Sequence, residues 1–508
     1  MRFPRRAGIL LHPTSLPSPV GIGDLGPEAY RFIDFLKQSG NKLWQVLPLN
    51  PTGYGDSPFQ CFSASAGNPL LISLERLAER GILSQADLEP YPSFPHSIVH
   101  YGAVQHFKIP ILTRAAQTFL KRADQNERMN FEEFCSANAD WLDDFALFMA
   151  CKTAHDGVRW NEWAADIAAR EPSAKQEWAF RFAAEIDVIK FWQFEFFQQW
   201  QALRSYAHGH GVRIIGDVPI YVAHDSADVW ANRELFCLEP HGDPTSVAGV
   251  PPDYFSATGQ LWGNPIFNWK LLKSTGYKWW VERFRAALRL YDIVRIDHFR
   301  GFEAYWEVQA KESTAMNGHW IKGPGAELFS TLQQELGELP IIAENLGVIT
   351  KEVEQIRHKF EFPGMAILQF AFGNDPQGPS FRPHNYVRNL VAYTGTHDND
   401  TTLGWWNSQG TIDSTRTSED VLKEHVFART YLGYADDEPI NWAMIRTVLA
   451  SVADTAIIPL QDIIGLGTEA RMNLPGTSRG NWRWRFQPGV LSAELAKRLR
   501  QLNEAYDR

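Results

Sequence analysis

The chain has 508 residues, of which 44% are hydrophobic and 21% charged, enough apolar material for a large packed core and too little charge for a disordered chain. Lys and Arg total 49 against 59 Asp and Glu, a formal net charge of -10 with no basic block, so neither a phosphate-binding footprint nor a nucleic-acid partner is expected. Cys61, Cys135, Cys151 and Cys237 stand far apart without a C-x-x-C pair, which argues against a disulfide scaffold, a zinc site or a redox dithiol and fits a reducing cytoplasm.

The N-terminal Met1-Arg2-Phe3-Pro4-Arg5-Arg6 is basic, but the apolar run behind it, Gly8 to Leu11, is too short for a secretion signal. No stretch approaches the roughly 18 apolar residues that span a bilayer, so a soluble protein with no membrane partner is expected. The first candidate strand is Gly8 to His12. Ala29, Phe32, Ile33 and Leu36 then recur at helical spacing between Pro27 and Gly40, and Leu43 to Leu49 is the second strand. The next strand-like run comes only at Ile214 to Val222, after a helical pattern over Glu185 to Tyr206. The intervening residues, 51–183, are therefore predicted to be an inserted, largely helical subdomain, with Phe145 to Cys151 as one helical stretch. A second insertion, 223–278, is rich in Gly, Pro and aromatics. Helical patterns at Val281 to Leu290, Glu327 to Leu336 and Ile440 to Val452 alternate with strand runs at Ile293 to Phe299, Ile341 to Leu346, Ala366 to Phe372, Val391 to His397 and Ala456 to Ile464.

Eight strands alternating with helices predict an α/β fold, a (β/α)8 TIM barrel forming one catalytic unit over 1–508, with no separate C-terminal β-domain. No G-x-G-x-x-G follows an early strand, which disfavours a dinucleotide fold. In such barrels reactive groups sit at the C-terminal strand ends, and four ends here carry carboxylates: Asp217, Asp297, Glu344 and Asp398. Any one of them alone reads as an ordinary strand-end cap; four on one rim suggest glycosidic chemistry. Glu344, flanked by Ile341, Ile342, Ala343 and Leu346, is placed to be desolvated and protonated, whereas Asp297, beside Arg295 and His298, stays ionised. That makes Glu344 the acid/base and Asp297 the nucleophile. His298 and His397 each adjoin a rim Asp and are suited to hydrogen-bond sugar hydroxyls.

Tyr254 to Asn264, with Phe255, Gln260 and Trp262, follows Pro251-Pro252 and reads as an aromatic loop that can stack on pyranose rings and cover the site. Gly53 to Pro58, with Tyr54 at its tip, reads as a second rim loop. His397, Asp398 and Asp400 could imitate a metal set, but no calcium-loop spacing is present and no metal or other cofactor is expected. A Ser-His-Asp hydrolase is disfavoured because no G-x-S-x-G follows a strand.

In this order, His12-Pro13-Thr14-Ser15-Leu16-Pro17, Gly53 to Pro58, Gly216 to Val222, the Tyr254 to Asn264 run, Arg295 to Gly301, Ala343 to Gly347, Gly395 to Asn399, Arg471 to Thr477 and Gly480 to Arg485 resemble the α-amylase superfamily, and specifically glycoside hydrolase family 77, the amylomaltases. The resemblance covers nearly the whole chain. It implies 4-α-glucanotransfer, with Asp297 as nucleophile, Glu344 as acid/base and Asp398 binding sugar hydroxyls and stabilising the transition state, the last role coming from the resemblance alone. Along the same motifs Ser57, Asp217, Tyr254, Phe255, Gln260, Trp262, Arg295, His298, His397 and Asn473 are assigned to substrate contact, and Tyr54 and Tyr101 to a second, remote glucan site. The implied partners are maltooligosaccharides, glucans derived from starch or glycogen, and glucose as acceptor. Asn345 stands where the family commonly has Asp, and Phe59 where relatives often carry Tyr. Starting almost at its first strand, the chain resembles the shorter family forms. A retaining α-glucan hydrolase could use the same three carboxylates; a non-catalytic glucan-binding barrel would not need them.

Overall fold

The computed structural model describes residues 3–252, 258–410, 417–435 and 438–508. Its strands in chain order are β1 (Arg6–Leu10), β2 (Leu43–Gln45), β3 (Arg213–Pro219), β4 (Ser246–Val250), β5 (Gln260–Pro265), β6 (Ile293–Asp297), β7 (Ala304–Gln309), β8 (Gly318–Lys322), β9 (Ile341–Ala343), β10 (Gly364–Ile367), β11 (Leu390–Tyr393) and β12 (Thr455–Pro459). Eight of these form one parallel sheet in the order β10-β11-β12-β1-β2-β3-β6-β9. They are the eight apolar runs read from the sequence. Runs such as Ile341-Ile342-Ala343 are buried throughout because a barrel strand packs on side chains inside and helices outside.

The ends of this order, β9 and β10, are joined differently from the other neighbours. The Ala343 N–H donates to the Pro363 carbonyl at 2.9 Å. Beside that bond, Asn345 Oδ1 accepts from the Met365 N–H at 2.8 Å, so a side chain serves where a ladder would run. A Cβ on Gly364 would come within 2.7–3.0 Å of the Asn345 amide, which explains why this position carries no side chain.

The periodic segments are helices at Pro27–Gln38, Ala183–Gly209, Lys278–Leu290, Ala326–Leu336 and Ile440–Ala450. Between β2 and β3 the chain is predominantly helical, with Tyr101–Arg122, Gln125–Ala137 and Ala139–Ala154 as its longest elements before Ala183–Gly209. Aromatic side chains from these helices interlock around Phe119, Phe131, Phe134, Phe191 and Phe194.

The stretch read as an aromatic loop is corrected in part. Gln260–Pro265 is strand β5, in a four-stranded antiparallel sheet of order β5-β4-β7-β8. It pairs with β4, and β4 in turn with β7, which with β8 belongs to the connection after β6, so the sheet joins segments far apart in sequence, and Pro251, Pro252 and the glycines mask the strand pattern. Tyr254 and Phe255 lie outside the described residues. Among those residues no helix is long and apolar enough to cross a membrane.

Candidate active site

The C-terminal ends of β3, β6, β9 and β11 converge under a cleft of about 1550 Å³ lined by Asp297, Glu344 and Asp398. Arg295 and Asp297, two apart on β6, project to the same face of the strand. Arg295 Nη1 donates to Asp217 Oδ2 at 2.6 Å, and Nη2 lies 2.9 Å from Asp297 Oδ1. Arg295 is buried, and the carboxylates of Asp217, Asp297 and Glu344 hold its guanidinium firmly protonated against that burial. One cation thus anchors the floor of the cleft and orients Asp297.

Asp217 does not line the cleft. It is 1% exposed, beneath the floor, so it bears on a sugar only through Arg295. Burial raises its carboxyl, with the Arg295 guanidinium pulling the other way. Its neighbour Gly216 is obligatory, because a Cβ there would come within 2.1 Å of the Tyr291 ring.

Glu344 follows β9 and is buried. Its Oε2 accepts from the His298 N–H and its Oε1 from the Leu346 N–H, both at 2.8 Å. His298 turns its amide toward Glu344 by adopting φ 53°, a left-handed conformation uncommon for a residue with a Cβ. Burial first, and the nearby Asp297 charge second, push the Glu344 carboxyl from 4.5 up to about 7, against the two backbone donors and Arg295. A carboxyl poised there can give a proton and take one back near neutrality. The two carboxyl groups stand in different surroundings: Glu344 is desolvated, and Asp297 is paired with an arginine.

Asp398 lies beyond β11 and is the most open of the three, its side chain 43% exposed. Asn473 Nδ2 donates to its Oδ1 at 2.6 Å, and Arg471 Nη2 to its carbonyl at 2.7 Å. His397 Nε2 lies 3.4 Å from Asp398 Oδ1. Burial lowers both imidazoles, His298 to about 4, so both are neutral near pH 7. Among the described residues, His298 Nε2 and His397 Nδ1 are buried without a hydrogen-bond partner, and both residues line the cleft. Unpaired buried donors or acceptors facing a cleft suit sugar hydroxyls. Phe59 stacks on His397 with ring centroids 5.1 Å apart, so the residue that lacks the tyrosine hydroxyl still supports that imidazole.

Ser57, Gln260, Trp262 and Asn473 all line the cleft. Trp262 meets His298 edge-on at 4.8 Å, and its Nε1 donates to Gln260 Oε1 at 3.2 Å. The two tyrosines assigned to a remote glucan site part company. Tyr54 is 77% exposed at the cleft margin, but Tyr101 is 5% exposed and its hydroxyl donates to the Trp482 carbonyl at 2.8 Å. Tyr101 therefore offers no ring face to a ligand in this conformation; its place at the start of a long helix buries it. The reading of single residues missed Arg471, which braces Asp398 from a segment 73 residues away. Among the described residues, no group of three or more His, Cys, Asp or Glu could hold a metal ion.

A family model described as 4-alpha-glucanotransferase matches residues 11–492. The chain is 52% identical over 507 residues to the 4-alpha-glucanotransferase of Synechocystis sp., covering 99% of this chain and 98% of that protein. It is 50% identical over 510 residues to the 4-alpha-glucanotransferase of Thermus thermophilus, covering 100% of both. Among solved structures, amylomaltase from Streptococcus agalactiae in complex with acarbose superposes with a TM-score of 0.94 at 39% identity, covering 99% of both chains.

Proposed function

The chain belongs to glycoside hydrolase family 77, the 4-alpha-glucanotransferases, and from that premise we propose that it moves α-1,4-glucan segments by a retaining double displacement carried by Asp297 and Glu344. The donors are maltooligosaccharides and glucans derived from starch or glycogen, and the acceptor is a glucan or glucose. The reading rests above all on one observation: a buried Glu344 raised to about 7 beside an Asp297 paired with Arg295.

Asp297 attacks the anomeric carbon and forms a glycosyl ester while the glycosidic C–O bond breaks. Glu344 gives its proton to the departing oxygen. The acceptor 4-hydroxyl then attacks the same carbon, its proton passes to Glu344, and the ester bond to Asp297 breaks, so configuration is retained and the enzyme returns unchanged. Arg295 holds the Asp297 carboxyl in place for the attack. Asp398, held by Asn473 and Arg471, binds hydroxyls of the reacting sugar and strengthens its hold as charge develops. His298 and His397 supply hydrogen bonds to further hydroxyls, with Ser57, Gln260 and Trp262 along the walls.

Transfer prevails over hydrolysis when water is kept from the ester, and Tyr254 and Phe255 are assigned to that exclusion. Residues 51–183 and 223–278 are read as insertions into a single catalytic barrel. The four free cysteines fit a cytoplasmic setting.

The Glu344→Gln variant tests the assignment. With α-maltosyl fluoride as donor, fluoride leaves without acid help, but the second step lacks its base, so a maltosyl ester accumulates. Peptide mass spectrometry is expected to find it on Asp297. An adduct on another residue, or none while Asp297 is intact, contradicts the double displacement.

A further inference from the structure

Arg300 and Trp320 line the cleft and take no part in the chemistry above. Arg300 follows β6 and is buried, yet it has no carboxylate within ion-pair distance among the described contacts. Its Nη1 donates to the Val348 carbonyl, and its Nε is buried without a hydrogen-bond partner among the described residues. Its guanidinium carbon sits 3.5 Å from the centre of the Trp320 indole. A stack that close fixes the ring plane, and the Trp306 ring meets the same indole edge-on at 5.2 Å. Trp320 is nevertheless 37% exposed, on strand β8 of the antiparallel sheet. A large aromatic held by two neighbours, bordered by the cleft-lining Arg300 guanidinium and itself left open to the cleft, is built to receive something. The apolar face of a pyranose and its rim of hydroxyls match that pairing of surfaces.

Its tie through Arg300 to the segment that follows Glu344 says which sugar. The acid/base must touch the oxygen that leaves, so the departing sugar, and the acceptor that replaces it, occupies the side onto which Glu344 opens. Leu346, Gly347 and Val348, the residues just beyond Glu344, line the cleft there. Arg300 ties this segment, through Val348, to Trp320. The geometry points to Trp320, braced by Arg300, as the aromatic platform of the acceptor site, and hence as a residue that sets acceptor affinity and the competition between sugar and water. This rests on the transferase reading above. The acceptor docked on the platform presents its 4-hydroxyl to the glycosyl–Asp297 ester; the new C–O bond forms, the ester bond breaks and the proton goes to Glu344.

The test uses α-maltosyl fluoride as donor, whose leaving group needs no sugar-binding platform, and maltose as acceptor at varied concentration. Trp320→Ala is expected to leave the rate of the first-turnover burst of fluoride, which precedes any acceptor step, within about twofold of the parent under saturating donor. It should raise the acceptor KM at least tenfold and increase the share of hydrolysis, and Trp320→Phe should recover most of the loss. An unchanged acceptor KM overturns the assignment, as does a parallel fall in fluoride release and acceptor affinity that Trp320→Phe fails to repair. Failure of the unsubstituted enzyme to transfer at all would instead overturn the transferase reading.

Discussion

Replacing Glu344 by Gln removes a carboxyl whose pKa the fold raises from 4.5 to about 7, and the consequence is readable in stability as well as in activity. Between those values the folded protein binds a proton that the unfolded chain has released, so stability falls as pH rises through the window and the loss is complete above about 7. Each pKa unit carries about 1.4 kcal/mol, and the rise therefore amounts to about 3 kcal/mol. Gln cannot reproduce both hydrogen bonds, because its amide nitrogen would face either the His298 or the Leu346 N–H, now accepted by two carboxylate oxygens. That mismatch costs about 1–3 kcal/mol at every pH. The expected pattern is a variant less stable than the parent near pH 4 that gains on it by about 3 kcal/mol near pH 8. Denaturant unfolding at the two pH values, each extrapolated to water, measures the difference. In the parent, kcat/KM should fall about tenfold per pH unit above 7 as the general acid ionises. A stability gap between variant and parent that is the same at both pH values would refute the buried, protonated Glu344.

Asn473→Ala should lower kcat/KM by about ten- to a hundredfold, the worth of a hydrogen bond to a charged group, while leaving the unfolding midpoint nearly unchanged, since the bond it loses is at the open side chain of Asp398. Equal activity in steady-state transfer assays would remove Asp398 orientation from the mechanism. Asn345→Ala strands the Met365 N–H at the β9–β10 seam and breaks the 2.9 Å bond from Nδ2 to Glu354 Oε1; a loss of about 1–3 kcal/mol is expected by denaturant unfolding. Asn345→Asp keeps the acceptor for Met365 but sets a carboxylate against Glu354, so its stability should rise as pH is lowered far enough to protonate one of the pair; a pH-independent effect would contradict the seam's hydrogen bonding.

Much of the barrel was legible because its strands are buried on both faces and so appear as short apolar runs, and because helix-spaced residues such as Ala29, Phe32, Ile33 and Leu36 separate them. The antiparallel sheet was not, since β4 and β5 carry Gly249, Gly263 and half-exposed residues without clean alternation, and the pairing of β4 with β7 depends on chain brought back from beyond β6. The contrast between Asp297 and Glu344 followed from their immediate neighbours, Arg295 on one side and Ile341 to Ala343 on the other. What lay two layers from the chemistry did not follow. Asp217 reads as a strand end like the other carboxylates, yet β3 runs on to Pro219 and Arg295 closes over it. Tyr101 looks like an aromatic available for stacking, yet the Trp482 carbonyl claims its hydroxyl. Asn345 is one residue from the acid/base, and its contacts are with β10 and the helix Lys351–Lys359, which no local pattern announces. Trp320 is visible in the sequence only as one of 19 tryptophans; its meaning comes from Arg300 folding over it.

The most direct measurement is incubation of the purified protein with maltotriose alone, without added metal or nucleotide, following the oligosaccharide ladder, free glucose and total reducing ends. Longer maltooligosaccharides appearing together with glucose, at a constant number of reducing ends, are the expected result of transfer through a glycosyl–Asp297 ester. A steady rise in reducing ends without longer products would mean that water, not sugar, resolves the ester, and would contradict the assignment of this site to glucan transfer.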